Sequence, residues 1–204
     1  MQTSDSEIIE LPEPKFSSIN SIEEVLHKRR SIRDYLDDPL SISDISQILW
    51  AAQGITDEKY GLRTAPSAGA LYPLEIYIAV SNVNDLNPGV YKYKPQNHTL
   101  KKIDGGDKRL DISNAALQQD AIENSSAIVI ISAVYERTAI KYGSRAERYA
   151  HIEVGSVGQN IYLQSLSLGL GTVMIGAFKD EALKKVLALQ KNENPLAIMP
   201  LGKI

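Results

Sequence analysis

Three arginines and a serine fall within five residues, Arg29-Arg30-Ser31-Ile32-Arg33, at the end of a predicted amphipathic helix. The guanidinium group of arginine is a planar, permanently charged fork of donors that matches a phosphate or a carboxylate in a two-point contact. The formal net charge of the chain is only −3, so this cluster is a local concentration of positive charge. The pattern is typical of an anion site, and equally of cations that complement a helix dipole on a solvated surface.

A loop of small residues, Pro66-Ser67-Ala68-Gly69-Ala70-Leu71-Tyr72-Pro73, has proline at both ends. Small side chains let a flat ligand lie close to the backbone, and Ser67 can supply a hydrogen bond. The segment lacks the Gly-x-Ser-x-Gly pattern of a serine hydrolase, and no histidine is obviously placed to activate Ser67. An ordinary surface loop is the alternative.

A helix end, a short strand and a second glycine turn are predicted within Gly169–Phe178. After the strand, the backbone N–H groups of Gly176 and Ala177 are presented without a bulky side chain in the way. The glycine spacing is not a dinucleotide fingerprint, because it follows a helix and does not open one. A plain helix–strand crossover is the alternative.

Composition limits the classes of protein to which the chain can belong. With 204 residues, of which 43% are apolar and 23% charged, a single globular domain over residues 19–204 is expected. The absence of cysteine excludes thiolate zinc sites and thiol nucleophiles and fits a cytoplasmic protein. The three histidines lack metal-site spacing, the near-neutral charge gives no sign of nucleic-acid binding, and no apolar run reaches the roughly 20 residues of a membrane span.

The elements that must position these motifs follow an irregular order. Helices are predicted over residues 22–29, 41–54, 107–119, 149–168 and 181–189, and strands over residues 75–80, 89–93, 99–103, 127–134, 172–175 and 196–201. Residues 1–18 are predicted to form an extended arm and residues 55–73 a loop. This order, which includes a hairpin, favours an α+β fold over a doubly wound sheet.

The longest predicted helix, over residues 149–168, has apolar residues on more than one face. Gly155, Ser156 and Gly158 would let another backbone approach closely. A helix that is apolar on two sides is buried on two sides, and in a chain this short the second side is expected to be another subunit.

Taken in order, these segments resemble the nitroreductase family of flavin enzymes from about Ser21 to Gly202. The resemblance is closest to the branch that includes azoline-oxidising dehydrogenases of peptide biosynthesis. Besides the three motifs, it rests on Leu74–Tyr77, Pro88–Tyr93, Lys141–Arg145 and Gly155–Leu163. No one segment is specific, but together, in the right order, they are hard to attribute to chance.

The resemblance implies an intertwined homodimer of the nitroreductase-like fold, with a mixed or antiparallel central sheet flanked by helices and FMN bound between the subunits. By position, Arg29 and Ser31 resemble the ligands of the FMN phosphate, with Arg30 nearby. Arg33 resembles the cation beside the pyrimidine edge of the flavin. A fixed cation there stabilises the negative charge of the reduced ring.

Two further segments acquire roles through the resemblance. Pro66, Ser67, Ala68 and Gly69 resemble the loop that lies along the flavin from the partner chain, and Ile175-Gly176-Ala177 resembles the turn whose backbone N–H faces flavin N5, the atom that exchanges hydride. Substrate and reductant would then take turns over the open ring face, which implies ping-pong kinetics. In two places the chain departs from the family pattern: Gly176 replaces a residue that is often acidic, and Lys203 alone stands where relatives carry further basic residues that complete the phosphate site.

The pair Lys141-Tyr142 is the most function-specific feature of the resemblance. In azoline-oxidising relatives a Lys-Tyr pair is assigned the removal of a proton while hydride passes to the flavin. A lysine desolvated in a pocket can have its pKa lowered enough to act as a base. A solvated lysine in a loop rich in basic residues is the alternative.

The sequence therefore predicts an FMN-dependent oxidoreductase that transfers hydride from NADH or NADPH to a small nitroaromatic or quinone-like acceptor. The expected assembly is a homodimer without a nucleic-acid or membrane partner. Two alternatives stay open: a thiazoline or oxazoline dehydrogenase, and a flavin-binding module without turnover.

Overall fold

The structure, a computed structural model, describes residues 7–204. Residues 1–6 of the predicted arm lie outside the described residues. In chain order the elements are β1 (Ile8–Glu10), α1 (Ile22–Lys28), α2 (Ile42–Gln53), β2 (Ile55–Asp57), β3 (Leu62–Arg63), β4 (Leu74–Val80), β5 (Gly89–Lys94), β6 (Thr99–Gly105), α3 (Arg109–Ala115), α4 (Asp120–Glu123), β7 (Ala127–Ala133), α5 (Tyr135–Tyr142), α6 (Ala146–Ser167), β8 (Leu170–Thr172), α7 (Asp180–Val186) and β9 (Asn194–Lys203).

The large sheet is built around β7, a continuous apolar run in which every residue is buried. β7 pairs antiparallel with β4 on one side and with β9 on the other. The seven strands follow the order β1-β6-β5-β4-β7-β9-β8, and each neighbouring pair is antiparallel. The predicted α+β class, with an antiparallel central sheet flanked by helices, is thereby confirmed.

Successive residues of β7 face two different helical layers, because side chains alternate across a strand. Val129 and Ile131 belong to a core cluster that includes apolar residues of α2 and α6. Ile128 and Ile130 belong to a second cluster, with apolar residues of α3, α4 and α7. Burial on both faces explains why β7 is apolar without alternation.

Helix α6 is the longest helix and packs on the first of these layers, with Val157 and Ile161 buried. Gly158 admits the side chain of Met174, with which a Cβ atom would collide. Gly155 has no heavy atom within 4 Å of the position of a Cβ, so the described residues leave one face of α6 uncovered. Within residues 7–204, neither α6 nor any other helix has the length and apolar character needed to cross a bilayer.

Most of the predicted elements are confirmed, with shifts of a few residues at their ends. Serine caps begin α1 and α2, where the hydroxyls of Ser21 and Ser41 accept the N–H groups of Glu24 and Asp44. The predicted hairpin is formed by β5 and β6. The predicted long helix begins earlier, at Ala146, and the last strand is longer at both ends.

Three expectations were wrong. The helix predicted over residues 107–119 ends at Ala115, because Leu117 and Gln118 have φ angles of 60° and 57°, which no right-handed helix accepts. The strand predicted over residues 172–175 ends at Thr172, and Ile175 makes an isolated bridge to Ile198. Residues 55–73 are not all loop, since β2 and β3 pair within them.

The described part of the predicted arm, residues 7–18, runs along the molecule. Ile8–Glu10 pair antiparallel with β6 and form the edge of the large sheet. Further along, the backbone N–H of Lys15 donates to the side chain of Gln47 on α2, at 2.8 Å. The arm is therefore attached to both the sheet and the helical layer.

Candidate functional site

The basic cluster begins where α1 ends. Arg29 is the C-cap of α1, and its N–H donates to the carbonyl of Val25 at 2.9 Å. The chain then runs beside the end of the sheet, where the N–H of Ile32 donates to Thr172 at 2.9 Å and the N–H of Leu36 to Lys203 at 3.0 Å. These backbone bonds fix the cluster against β8 and β9.

Tyr162 of α6 organises the cluster, and the sequence analysis assigned it no functional role. The guanidinium carbon of Arg29 lies 5.1 Å from the centre of its ring, and the hydroxyls of Ser31 and Tyr162 are 3.0 Å apart. The Tyr162 hydroxyl also accepts the N–H of Met174 at 2.7 Å. It can still donate to Ser31, and the hydroxyl proton of Ser31 is then available to an anion.

The three arginines of the cluster differ in what they contact. Arg30 donates to the carbonyls of His27 and Arg29, at 3.1 and 2.7 Å, and so caps the end of α1. Among residues 7–204, neither Arg29 nor Arg33 has a carboxylate within ion-pair distance. Arg29 is half-buried and Arg33 is exposed. The guanidinium groups of Arg29 and Arg33 therefore form no ion pair within the described part of the chain.

The glycine turn lies on the same side of α6 as Tyr162, since Met174 links the two. Ile175 is held by two hydrogen bonds to Ile198, of 2.8 and 2.9 Å. Beyond it, Gly176 and Ala177 are exposed, and a Cβ on Gly176 would meet no heavy atom within 4 Å. The turn therefore offers open backbone to a flat ligand, as predicted from its residue types.

The proline-bounded loop is in contact with the Lys-Tyr pair of α5. A Cβ on Gly69, whose φ is 63°, would lie 2.9 Å from the Tyr142 hydroxyl and 3.2 Å from Lys141 Nζ. Glycine is required here both by its backbone conformation and by this close approach. The structure thus places two separately predicted sets of residues together. In the single chain Lys141 is exposed, so the burial expected for it would need a partner or a bound substrate.

Tyr72 holds the far end of the same loop. Its φ of 47° is uncommon for a bulky residue, and its N–H donates to the hydroxyl of Ser67 at 2.9 Å. The guanidinium of Arg63 lies 4.3 Å from the centre of the Tyr72 ring, and Arg137 donates to the Tyr72 carbonyl at 3.1 Å. These contacts hold the loop in a conformation that would otherwise cost roughly 1–3 kcal/mol.

A buried carboxyl group on α6 supports the centre of the loop. Glu153 is only 4% exposed, and its Oε1 accepts the N–H of Ala68 at 2.9 Å. Its Oε2 has no hydrogen-bond partner among residues 7–204. Burial raises the pKa of Glu153, and the Ala68 N–H and the neighbouring Ser67 hydroxyl partly oppose this.

The loop and the basic cluster lie on opposite sides of α6. Glu153 supports the loop and Tyr162 supports the cluster, and nine residues separate them on one helix. At about 3.6 residues a turn, nine residues place the two side chains on opposite sides of the helix. At about 1.5 Å a residue, they are about 13.5 Å apart along its axis. One chain does not bring these two predicted parts of a flavin site together.

An uncovered stripe on α6 includes Ile152, which is 62% exposed, and the open Gly155. Ile140 of α5 is also 88% exposed. Large exposed apolar side chains beside a helix face of small residues are typical of a surface that another protein covers.

Comparison with known proteins decides the family. The model of the nitroreductase family matches residues 26–203, which include every predicted site residue. The chain belongs to the nitroreductase family. Membership places this nitroreductase among the oxidoreductases and confirms the resemblance found in the sequence.

Two similar proteins and one similar solved structure illustrate this family membership. A provisionally named nitroreductase of Methanocaldococcus jannaschii is 48% identical over 182 residues, covering 89% of this chain and 90% of that protein. The Escherichia coli microcin B17-processing protein McbC is 27% identical over 171 residues, covering 81% of this chain and 63% of that protein. A solved structure of a provisionally named nitroreductase from Ralstonia eutropha has a TM-score of 0.85 at 28% identity, covering 100% of this chain and 91% of that one.

Partners within the fold are found for three further side chains of this nitroreductase, Lys203, His151 and Tyr149. Lys203, considered for the phosphate site, pairs with Asp44 of the α2 capping box at 3.1 Å. His151 is within 2.9 Å of the Tyr135 hydroxyl, and Tyr149 packs edge-on against Tyr142 with ring centres 5.0 Å apart. Glu153, which sequence reasoning did not single out, had one signal: a carboxylate among the apolar positions of the long helix.

Replacing Glu153 should change how stability depends on pH. Because its pKa is raised above the ordinary value of 4.5, the folded protein binds this proton more tightly than the unfolded chain. The stability that this contributes is complete below pH 4.5 and is lost as pH rises through the folded-state pKa. Glu153→Gln keeps an oxygen that accepts the Ala68 N–H, but it has no proton to lose in this pH range. The free energy of unfolding of the variant should therefore increase relative to that of the wild type as pH rises.

Urea unfolding from pH 4 to pH 8 measures this difference. Glu147→Gln, at an exposed position of the same helix, is the control and should run parallel to the wild type. A Glu153→Gln curve that also runs parallel to the wild type would contradict the prediction.

Proposed function

We propose that this nitroreductase is an FMN-dependent oxidoreductase in which electrons pass from NADH or NADPH to a small nitroaromatic or quinone-like acceptor by ping-pong kinetics. The proposal rests on Arg29 and Arg33, which lie beside Ser31 and Tyr162 and have no carboxylate partner among residues 7–204. Family membership and the resemblance support the choice of FMN over other phosphate-bearing ligands.

The basic cluster fits the phosphate of FMN. Arg29 is held in place by the Tyr162 ring, and Ser31 by the Tyr162 hydroxyl, so both donors are positioned before an anion arrives. Arg30 caps the helix through one nitrogen of its guanidinium group and lies next to the site. Arg33 is free to stand at the edge of the ring, where a fixed positive charge favours electron uptake.

The open glycine turn and the proline-bounded loop fit the flat ring. Gly176 and Ala177 present their backbone without bulk, and Pro66–Gly69 present small side chains. When bound, FMN supplies reversible two-electron chemistry at its ring. The chain's part is to hold the ring face open to one small substrate at a time and to keep the loop rigid through Glu153 and Tyr72.

Each site would draw on two protomers of a homodimer. The cluster and the loop lie on opposite faces of α6, so a single chain does not close one site from both. A second copy seated on the exposed stripe at Ile152 and Gly155 would bring its loop to the first copy's arginines. A two-fold arrangement makes two equal sites.

Arg29→Ala should release FMN. The variant loses a charge-assisted contact to the phosphate, which weakens binding on the order of ten- to a hundredfold. The ratio of absorbance at 450 nm to 280 nm in the purified protein measures flavin content. Lys28→Ala, which removes the neighbouring exposed cation, is the control and should stay yellow. Full flavin content in Arg29→Ala would show the phosphate assignment to be wrong.

Mixed dimers test whether a site is shared. Gly69→Val forces a branched side chain against Tyr142 and Lys141 at a positive φ, which should displace the loop and lower flavin content. Arg29→Ala homodimers and Gly69→Val homodimers should both be poor in FMN. Heterodimers purified with two different tags should recover about half of the wild-type flavin, because one of their two sites takes both intact parts. Heterodimers as pale as the parents would mean that both parts serve one site from the same chain.

A second candidate function, azoline dehydrogenase, is favoured by one contact. Lys141 and Tyr142 lie against Gly69 of the loop that would border the ring. There the Lys141 amine could take the proton from one azoline carbon while the neighbouring carbon gives up its hydrogen as hydride, with oxidised FMN as the acceptor, so that the five-membered ring becomes aromatic. The likeness to McbC, which is named for processing microcin B17, supports a peptide as the substrate.

Lys141→Ala separates the two candidates. If this residue is the base, oxidation of an azoline-containing peptide should fall on the order of a hundredfold or more, while NADPH-driven quinone reduction is spared. Lys191→Ala, at an exposed lysine far along the chain, should change neither rate. An equal loss of both activities would exclude a specific role for Lys141, and a yellow protein that neither NADH nor NADPH bleaches would favour a binding module without turnover.

A further inference from the structure

A small cavity is lined in part by Arg63 and Arg137, the two arginines that contact Tyr72 of the proline-bounded loop. Its volume is about 230 Å³. It lies between α2, the β3 strand, the β4–β5 part of the sheet and the start of α5. Its polar lining is formed by Gln53, Arg63, Glu75, Lys94, Gln96 and Arg137.

The charges around this cavity do not balance. Glu75 pairs with Arg137 and lies 3.3 Å from Lys92, so its charge is already shared by two cations. Lys92 also meets the buried Glu193 at 2.7 Å. Within residues 7–204, Arg63 and Lys94 have no carboxylate within ion-pair distance. Nearby carboxylates act on these two cations only at longer range, and neither cation has an ion pair of its own among the described residues.

Both of these cations are partly removed from water. Burial lowers the pKa of the Arg63 guanidinium and that of the Lys94 ammonium group. Desolvating a charge without a partner is unfavourable, and a bound counter-charge would offset this.

A buried amide supplies a further unused donor. Gln53 is 1% exposed, and its Oε1 accepts from Arg63 Nη1 at 2.9 Å. Because a guanidinium has only donors, this bond fixes which end of the amide faces Arg63. The Nε2 group of Gln53 is left without a partner among the described residues. A buried N–H group without an acceptor is rare in folded proteins.

We propose that this cavity is a binding site for a small oxyanion, such as inorganic phosphate or a carboxylate, held by Arg63 and Lys94. Two-point donation from a guanidinium matches either oxyanion. The volume is several times that of a water molecule, about 30 Å³, so it holds such an ion with some of its water. This site is separate from the arginine cluster at the end of α1.

An anion here would also act on the loop. Arg63 stacks on the Tyr72 ring and donates its backbone N–H to the Tyr72 hydroxyl, at 3.2 Å. Arg137, on the cavity wall, donates to the Tyr72 carbonyl. Neutralising this wall removes repulsion between the two guanidinium groups that hold Tyr72, and so stabilises the loop.

Isothermal titration calorimetry of the protein as purified tests the proposal, with inorganic phosphate and acetate as separate probes at constant ionic strength. We expect one saturable site for at least one probe, and the tighter of the two identifies the anion class. Arg63→Gln and Lys94→Gln should each weaken binding on the order of tenfold or more. Lys185→Gln, at an exposed lysine of α7, should bind as the wild type does.

Arg29→Ala distinguishes this cavity from the cluster at the end of α1, and it should retain the anion. Loss of binding in Arg29→Ala with retention in both cavity variants would overturn the proposal, as would the absence of saturable binding of either probe. Thermal unfolding guards against misfolding: without anion, Lys94→Gln should have a midpoint no lower than that of the wild type, and it should lose the rise that the anion causes. An undiminished rise in that variant would equally overturn the proposal.

Discussion

The packing of α6 on the sheet is the constraint on which the rest of the site depends. Its buried residues, such as Val157 and Ile161, fix the rotation of the helix, because apolar core positions must face the sheet. That rotation then determines where Glu153 and Tyr162 point. One helix therefore sets both the support of the loop and the support of the arginine cluster, and sets them half a turn apart.

Tyr162 and Glu153 support the arginine cluster and the loop through different kinds of interaction. Tyr162 uses a ring face and a hydroxyl, so it positions cations and a neutral donor without adding charge of its own. Glu153 places a carboxyl group in a poorly hydrated position, where the Ala68 N–H satisfies one oxygen only. This second arrangement is sensitive to protonation, because burial raises the pKa of Glu153.

The sequence predicted those parts of the fold whose cause is local. The β7 strand is a run of β-branched residues, and the start of α2 is a complete capping box, so neither depends on distant contacts. The β2–β3 hairpin was missed because strands of three and two residues carry no periodicity. The end of α3 was missed because a turn at Leu117 overrides good helix formers nearby.

The residues of the candidate site also differ in whether the sequence alone could point to them. Arg29, Ser31 and Gly69 were predicted as site residues from their residue types together with the resemblance of their segments to the family. Tyr162 was missed because its role comes from a neighbour far away in sequence, since it lies 131 residues from Ser31. Arg63 was missed because its contacts with Gln53 and Tyr72 arise from the fold of the chain around β3 and follow no sequence pattern. Only the folded chain reveals such pairs.

The two edges of the large sheet restrict how copies of the chain can associate. At one edge, β1 is only three residues long, and at the other, Ile32 and Leu36 already bond the backbone of β8 and β9. Short or occupied edge strands offer few free groups for continuing a sheet from one molecule into the next. Self-assembly by strand addition is thus discouraged at both ends, and helix-to-helix docking is the route left for oligomers of defined size.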